Sequence, residues 1–171
     1  MSERLSEMVV DSVRIHMLTS QHVVVLRESD RERYLPIWIG PWEANAIAMR
    51  LQGQVSDRPM THDLFRNALD ELGVVMRRVI VTDLAEDTFR ARIILEQDDQ
   101  VRELDARPSD AIALAVRAQV PIFATEAVLD RAGVVPQAEE DEKLSVFREF
   151  VNSLDIDGEG DVPGEERRRL D

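Results

Sequence analysis

The run Ala111-Ile112-Ala113-Leu114-Ala115-Val116-Arg117-Ala118 has the composition of a helix but no polar face: seven of its eight residues are apolar. A helix that is hydrophobic on nearly every side has to be surrounded, so this segment belongs in the middle of a domain. Four of the eight are alanines, which lets neighbouring elements approach its backbone closely. The residues ahead of it set its start. Pro108 blocks backward extension and pushes Arg107 into an extended conformation. Ser109 is the expected N-cap, and Asp110 favours the positive end of the helix dipole. The result is a buried helix whose mouth displays Asp105, Arg107, Ser109 and Asp110.

Around this helix the hydrophobic pattern alternates between strand and helix periods. Strands are predicted over Val9–Leu18, with Val13, Ile15 and Met17 inward, and over His22–Arg27 and Tyr34–Ile39. Glu28–Arg33 reads as a charged hairpin loop. Gly40-Pro41 turns the chain into a helix over Trp42–Gln52, closed by Gly53. Thr61 is expected to cap a helix over Thr61–Leu72, with Leu64, Phe65, Ala68, Leu69 and Leu72 as its apolar face. Strands follow over Val74–Thr82, Thr88–Glu96 and Val101–Asp105, the first two joined by a loop at Asp83–Asp87. Beyond the buried helix come a short strand, Ile122–Thr125, and a short helix, Glu126–Ala132.

The order three strands then an Ala-rich helix occurs twice, with an echo of Ala46-Ile47-Ala48 in Ala111-Ile112-Ala113. The expected fold is therefore α+β: two strand-strand-strand-helix units, their apolar helices packed between sheet layers of mostly antiparallel or mixed sheet. The layout predicted from these shifts is an N-terminal extension over 1–7 and a domain over 8–135. An acidic linker with an amphipathic helix (Leu144–Leu154) is expected over 136–154, and a disordered tail over 155–171.

Charge and cysteine content narrow the function. The chain has no cysteine, which removes disulfides and thiolate chemistry. It lacks both a signal-peptide core and an apolar run near the ~18 residues of a membrane span. The expectation is a soluble cytoplasmic protein with no membrane partner. The formal charge is −13, and residues 136–171, with 12 acidic and 5 basic side chains, supply −7 of it. That balance argues against indiscriminate nucleic-acid binding. All but one of the 21 basic residues are arginine, which suits bidentate pairing with carboxylate or phosphate.

Two stretches carry candidate chemistry. Asp105 and Asp110 bracket Arg107, offering two oxygen ligands and a phosphate-pairing guanidinium. Arg58, Thr61, His62 and Asp63 repeat the formula of an Arg-Pro pair, a hydroxyl and an acid. Two helix N-termini with an arginine beside each make an anion cradle if they converge. In that reading Arg58, Thr61, Arg107 and Ser109 bind phosphate, while His62, Asp63, Asp105 and Asp110 are catalytic. His62 is the natural general base near neutral pH. Asp105 and Asp110, with Glu43 as a further ligand, are the candidates for Mg²⁺ or Mn²⁺. The structural alternatives are caps, dipole partners and ion pairs from Arg107 and Arg58 to Asp105 and Asp57. Trp38 and Trp42 read as core or subunit contacts in preference to base-stacking platforms. Arg77, Arg78, Arg90, Arg92 and Arg102 form a strand face that Glu96 and Glu103 are placed to neutralise.

Several segments together resemble the bifunctional nuclease domain family. They are Leu35-Pro36-Ile37-Trp38-Ile39-Gly40 with Glu43-Ala44, Arg58-Pro59-Met60-Thr61-His62-Asp63-Leu64, Asp105 to Ala115, and Val120-Pro121-Ile122. The resemblance spans roughly residues 8–133 and implies an α+β fold, oligomers, and nuclease activity on DNA and RNA; Trp38, Trp42 and the edge-like strand at Pro36 lead to the expectation of a homodimer or larger homo-oligomer. It supplies no catalytic set, so the site rests on the residues' own chemistry. The leading expectation is metal-assisted phosphodiester hydrolysis. The alternatives are a non-catalytic homo-oligomeric module binding an anionic ligand or protein partner, and an assembly platform docking through Leu144–Leu154.

Overall fold

The structure, a computed structural model, describes residues 4–136 apart from Met17. Two three-stranded meanders lie on either side of one short strand. The first is β1 (Leu5–Ile15), β2 (His22–Glu28) and β3 (Tyr34–Ile39); the second is β4 (Val75–Ala85), β5 (Thr88–Gln97) and β6 (Gln100–Ala106). Between them runs β7 (Ile122–Thr125), giving one seven-stranded sheet in the order β3-β2-β1-β7-β4-β5-β6. β7 is antiparallel to β1 and parallel to β4; all other neighbours are antiparallel. The α+β architecture of two strand-strand-strand-helix units is thus what the chain forms, but β7 fuses the meanders into a single sheet, so the separate sheet layers expected around the helices are not there.

Each meander feeds a helix: α1 (Pro41–Leu51) after β3, and α3 (Pro108–Ala118) after β6. The two helices pack on each other, α1 also against β1 and β2, and α3 against β4 and β5. Ala44, Ala46, Ile47 and the run from Ala111 to Ala115 are buried. Ile47 and the Ala111–Ala115 run share one core with Val24, Leu26, Ile37, Val79, Val81 and Ile93. The alanines are the reason two helices fit side by side here, since their backbones can approach without large side chains between them. α2 (Thr61–Glu71) leans on α3, and α4 (Glu126–Ala132) follows β7. No helix among the described residues is long and apolar enough to cross a membrane. The Leu144–Leu154 segment and the 155–171 tail lie outside the described residues.

Four expectations shift. β1 begins at Leu5, because Leu5–Met8 pair with Ile122–Thr125, a long-range partner that local alternation cannot reveal. Its Ile15, expected inward, is 57% exposed, and Met8 is the buried residue instead. The bulge between Val10 and Ser12 breaks the simple alternation between those two positions. β4 continues to Ala85, and the Asp83–Asp87 loop shrinks to a two-residue turn, Glu86-Asp87, at φ 49° and 58°. Neither residue is glycine, so the turn lacked its usual signature. Finally, the apolar face of α2 is largely uncovered: Leu64 is 62% and Leu72 68% exposed, and only Leu69 reaches the core.

The predicted charged loop after β2 conceals a buried ion cluster. Glu28 is 1% exposed and accepts two hydrogen bonds from Arg33, at 2.8 and 3.1 Å. Arg33 also donates to Glu126 Oε2 at 2.9 Å, while Ser6 Oγ donates to Glu126 Oε1 at 2.6 Å. The cluster therefore ties the β2–β3 turn to β1 and α4. Arg33 holds the Glu28 carboxyl below the usual range against the upward push of burial. Ser6 and then Arg33 do the same for Glu126. Because these folded-state values lie below the unfolded ones, the stabilisation is complete above about pH 5 and is lost as pH falls through the depressed values. Urea midpoints measured from about pH 7 down to pH 3 should fall steeply at the acid end; a flat profile would show that neither carboxylate is held as described.

Candidate functional site

α1 and α3 start the same way. Each has an extended N-cap, Gly40 (φ −71°, ψ 158°) and Arg107 (φ −68°, ψ 143°), followed by proline and, three residues past the cap, an acid. Superposing the caps sets Pro41 on Pro108, Glu43 on Asp110, and Ala44, Ala46 and Ala48 on Ala111, Ala113 and Ala115. The repeat is therefore offset by two residues from the Ala-Ile-Ala identity seen in the sequence. Proline at the first helical position fixes φ and needs no hydrogen-bond partner, so it defines both starts.

The two equivalent acids meet at one arginine. Arg107 Nη2 donates to Glu43 Oε1 and Nε to Asp110 Oδ2, both at 2.7 Å. These bonds, to Asp110 and then to Glu43, raise the Arg107 pKa further. The other Asp110 oxygen lies 2.9 Å from His62 Nε2, which arrives from the first turn of α2. An arginine-paired carboxylate only accepts, so Nε2 carries the proton and Nδ1 is left as the basic nitrogen. The side chains of Glu43, His62 and Asp110 are 16%, 14% and 30% exposed, whereas Arg107 is 65% exposed. The chain Glu43–Arg107–Asp110–His62 is thus half-buried on its acidic side and open at the guanidinium.

Other predicted members go elsewhere. Both Asp63 oxygens are engaged: Oδ2 accepts from Met60 N–H at 3.0 Å and Oδ1 from Arg117 Nε at 2.7 Å. Burial pushes the Asp63 carboxyl up, but the bonds from Met60 and Arg117 outweigh it and hold the group below its ordinary value. Asp63 therefore fastens α2 to α3. Neither hydroxyl is a cap. The N-caps are Met60 and Arg107, so Thr61 is the first residue of α2 and Ser109 the second of α3. In α3 this follows from Pro108 taking the first position; in α2 Asp63 reaches back to the Met60 N–H, which moves the start one residue earlier. Asp105 is exposed on β6, in register with Arg92, and forms no ion pair among the described residues. Arg58 also has none there, and its neighbours Asp57 and Pro59 line a separate hollow of about 300 Å³ with Arg50 and Arg117. The expected bridges from Arg107 to Asp105 and from Arg58 to Asp57 are absent among the described residues.

The carboxylates foreseen for Mg²⁺ or Mn²⁺ do not fit a resident ion in this arrangement. Among the described residues, no group of three or more His, Asp or Glu side chains comes together as a metal site. Glu43 and Asp110 share a guanidinium, which occupies the position a cation would take, and Asp105 stands apart.

Beside Arg107 opens a cleft of about 530 Å³, walled by His22, Trp38, Phe89, Arg107, Pro108 and Ser109, among others. Residues of both meanders face it, so the sheet curls around the helix mouths; the bulges in β1 and β4 favour that curvature. Trp38 is 57% and Trp42 82% exposed, so of the two expected roles, core or subunit contact, neither residue takes the core one. The arginine face of the second meander is partly neutralised, as expected: Arg77 makes two bonds to Glu96 at 2.8 Å, and Arg92 one to Glu103 at 3.0 Å.

Sequence reasoning missed Arg117, which is 5% exposed and binds Asp63 and the Ala113 carbonyl. The signal was present: a lone charge in an otherwise apolar helix must find a buried partner. His22 and Phe89 carried no such signal, because only the curl of the sheet brings them to the cleft.

Comparison with known proteins agrees with the architecture. The profile of the Bifunctional nuclease domain matches residues 24–137. An uncharacterized protein of Mycobacterium tuberculosis is 41% identical over 162 residues, covering 90% of this chain and 97% of its own. Bifunctional nuclease 1 of Arabidopsis thaliana is 34% identical over 103 residues, 58% of this chain and 32% of its own length. Bifunctional nuclease 1 of Oryza sativa subsp. japonica is 26% identical over 114 residues, 64% of this chain and 34% of its own. The chain thus spans about a third of each plant nuclease, and within that third it carries the same domain. The profile match covers both helix mouths and the residues that join them, and the chain belongs to the bifunctional nuclease domain family.

Proposed function

We propose that the protein is a nuclease that cleaves phosphodiester bonds of DNA or RNA at the mouth shared by α1 and α3. The observation that carries this reading is the unbroken chain His62–Asp110–Arg107–Glu43, which places a base and a guanidinium on the same carboxylate. His62 Nδ1 takes the proton of the attacking oxygen, and Asp110 stabilises the imidazolium that forms. The oxygen attacks phosphorus, the bond to the leaving oxygen breaks, and that oxygen takes a proton from solvent. Arg107 has used Nε and Nη2 on the carboxylates; its Nη1 group is the donor for the phosphoryl oxygens, where negative charge grows. A second reading, an anion-binding module without turnover, is favoured by the two carboxylates that already balance Arg107 and by the net charge of −13.

Assays on single-stranded and duplex oligonucleotides in the presence of EDTA separate the two. Cleavage is expected to persist in the chelator and to fall about 10²- to 10⁴-fold in His62→Gln. Binding without cleavage would select the module. Cleavage that the variant leaves intact would point to a contaminant, and cleavage abolished by EDTA would overturn the metal-free arrangement.

A further inference from the structure

We propose that the cleft beside Arg107 receives one unpaired nucleobase, stacked on Trp38, so that the site acts on single-stranded or locally opened nucleic acid. The inference deepens the nuclease reading and rests on it for the identity of the ligand. The cleft, about 530 Å³, lies in the range of sites that enclose a small molecule. Its lining is unusual for a surface hollow, with three aromatic residues, Trp38, Phe89 and His22, alongside Arg107. A nucleotide has the matching sequence of groups, a flat apolar base joined through a sugar to an anionic phosphate. With the phosphate on Arg107, the base is carried into the aromatic part of the cleft.

The position of Trp38 is built rather than incidental. β3 alternates, with Leu35 and Ile37 buried on the core side, and Trp38 pairs with Val23 of β2. The ladder to β2 holds Trp38 near the end of the edge strand β3, where the residue remains 57% exposed. A large aromatic side chain left open beside a charged group marks a contact site.

Charge supports a base contact as well. A chain at −13, with Arg77 and Arg92 paired to glutamates, has little long-range attraction for a phosphate backbone. Affinity has to come from short-range contacts, and base–aromatic stacking is tolerant of sequence. Bases inside a duplex are paired and stacked and cannot enter without extrusion.

The two tryptophans make the test direct. In Trp42→Phe, Trp38 is the sole tryptophan, excited selectively over Tyr34 at the red edge. Oligodeoxythymidylate should quench it saturably, and an abasic oligomer of equal length and charge should bind about 5- to 100-fold more weakly, the loss of one stack. Trp38→Ala in the otherwise wild-type protein should raise KM for single strands by a similar factor, with kcat within about 3-fold. Equal affinity for base-bearing and abasic strands would overturn the proposal. So would Trp38 fluorescence that changes on dilution and ignores oligonucleotide, because the face would then join copies of the chain. The nuclease reading fails separately. If His62→Gln cleaves as well as wild type while base-dependent quenching holds, the catalytic assignment falls and base binding stands. If cleavage is lost in His62→Gln but quenching ignores the base, only the stacking falls.

Discussion

An Arg33→Ala variant is expected to lose about 3–5 kcal/mol of folding stability. The reason is Glu28. Its side chain is 1% exposed and takes two of its hydrogen bonds from this one guanidinium. Deleting Arg33 leaves a carboxylate in the core with no cation, and a second one, Glu126, relying on Ser6 alone. Glu28 would respond by taking up a proton, so the gap between variant and wild type should narrow toward about pH 4. The double change Glu28→Gln with Arg33→Gln removes the stranded charge and should recover part of the loss. Urea unfolding at two pH values measures all of this. A loss below about 1 kcal/mol, typical of a surface pair, would mean that water reaches Glu28.

The second large effect is expected in catalysis. Arg107→Ala should lower kcat/KM by about 10²- to 10³-fold, the scale seen when a preorganised transition-state donor is removed. Stability should change little, because the side chain is 65% exposed and its two ion pairs are at the surface. Arg107→Lys should not restore the rate. Two nitrogens of the guanidinium already hold Glu43 and Asp110, and the proposed mechanism asks a third to address the substrate; a single ammonium has no fork with which to do all three. Full activity in the lysine variant would show that Arg107 supplies charge alone. A large fall in urea midpoint for the alanine variant would show instead that the bridge holds α1 to α3.

Much of this was legible in the residues. Pro41 and Pro108 announce two helix starts, and the alanine-rich runs after them announce that both helices are buried. The strands expected over Thr88–Glu96, Val101–Asp105 and Ile122–Thr125 fall within a residue of their places. The convergence of two distant stretches was legible only in part. His62 reaches Asp110, as the doubled motif suggested, but Arg58 looked equivalent to Arg107 and does not join it. Likeness in local chemistry does not set which way a loop faces. Glu28 and Arg33 looked like solvent residues of a turn because nothing local shows that α4 folds over them. α2 misled in the opposite sense: its apolar spacing is that of a core helix, yet Leu64 and Leu72 stay open. Periodicity reports a face, not whether something covers it.

The placement of β7 has a consequence for how the molecule is made. This four-residue strand is the last of the seven to leave the ribosome and the one that seams the halves together, through Leu5–Met8 on one side and Val79–Val81 on the other. Each meander zips from neighbouring residues, but their union waits for a segment more than a hundred residues downstream of its β1 partner. A nascent polypeptide shorter than that carries two half-sheets with raw inner edges and an apolar helix not yet fully enclosed. Assembly of the sheet is therefore completed only from the end of the domain, by its shortest strand.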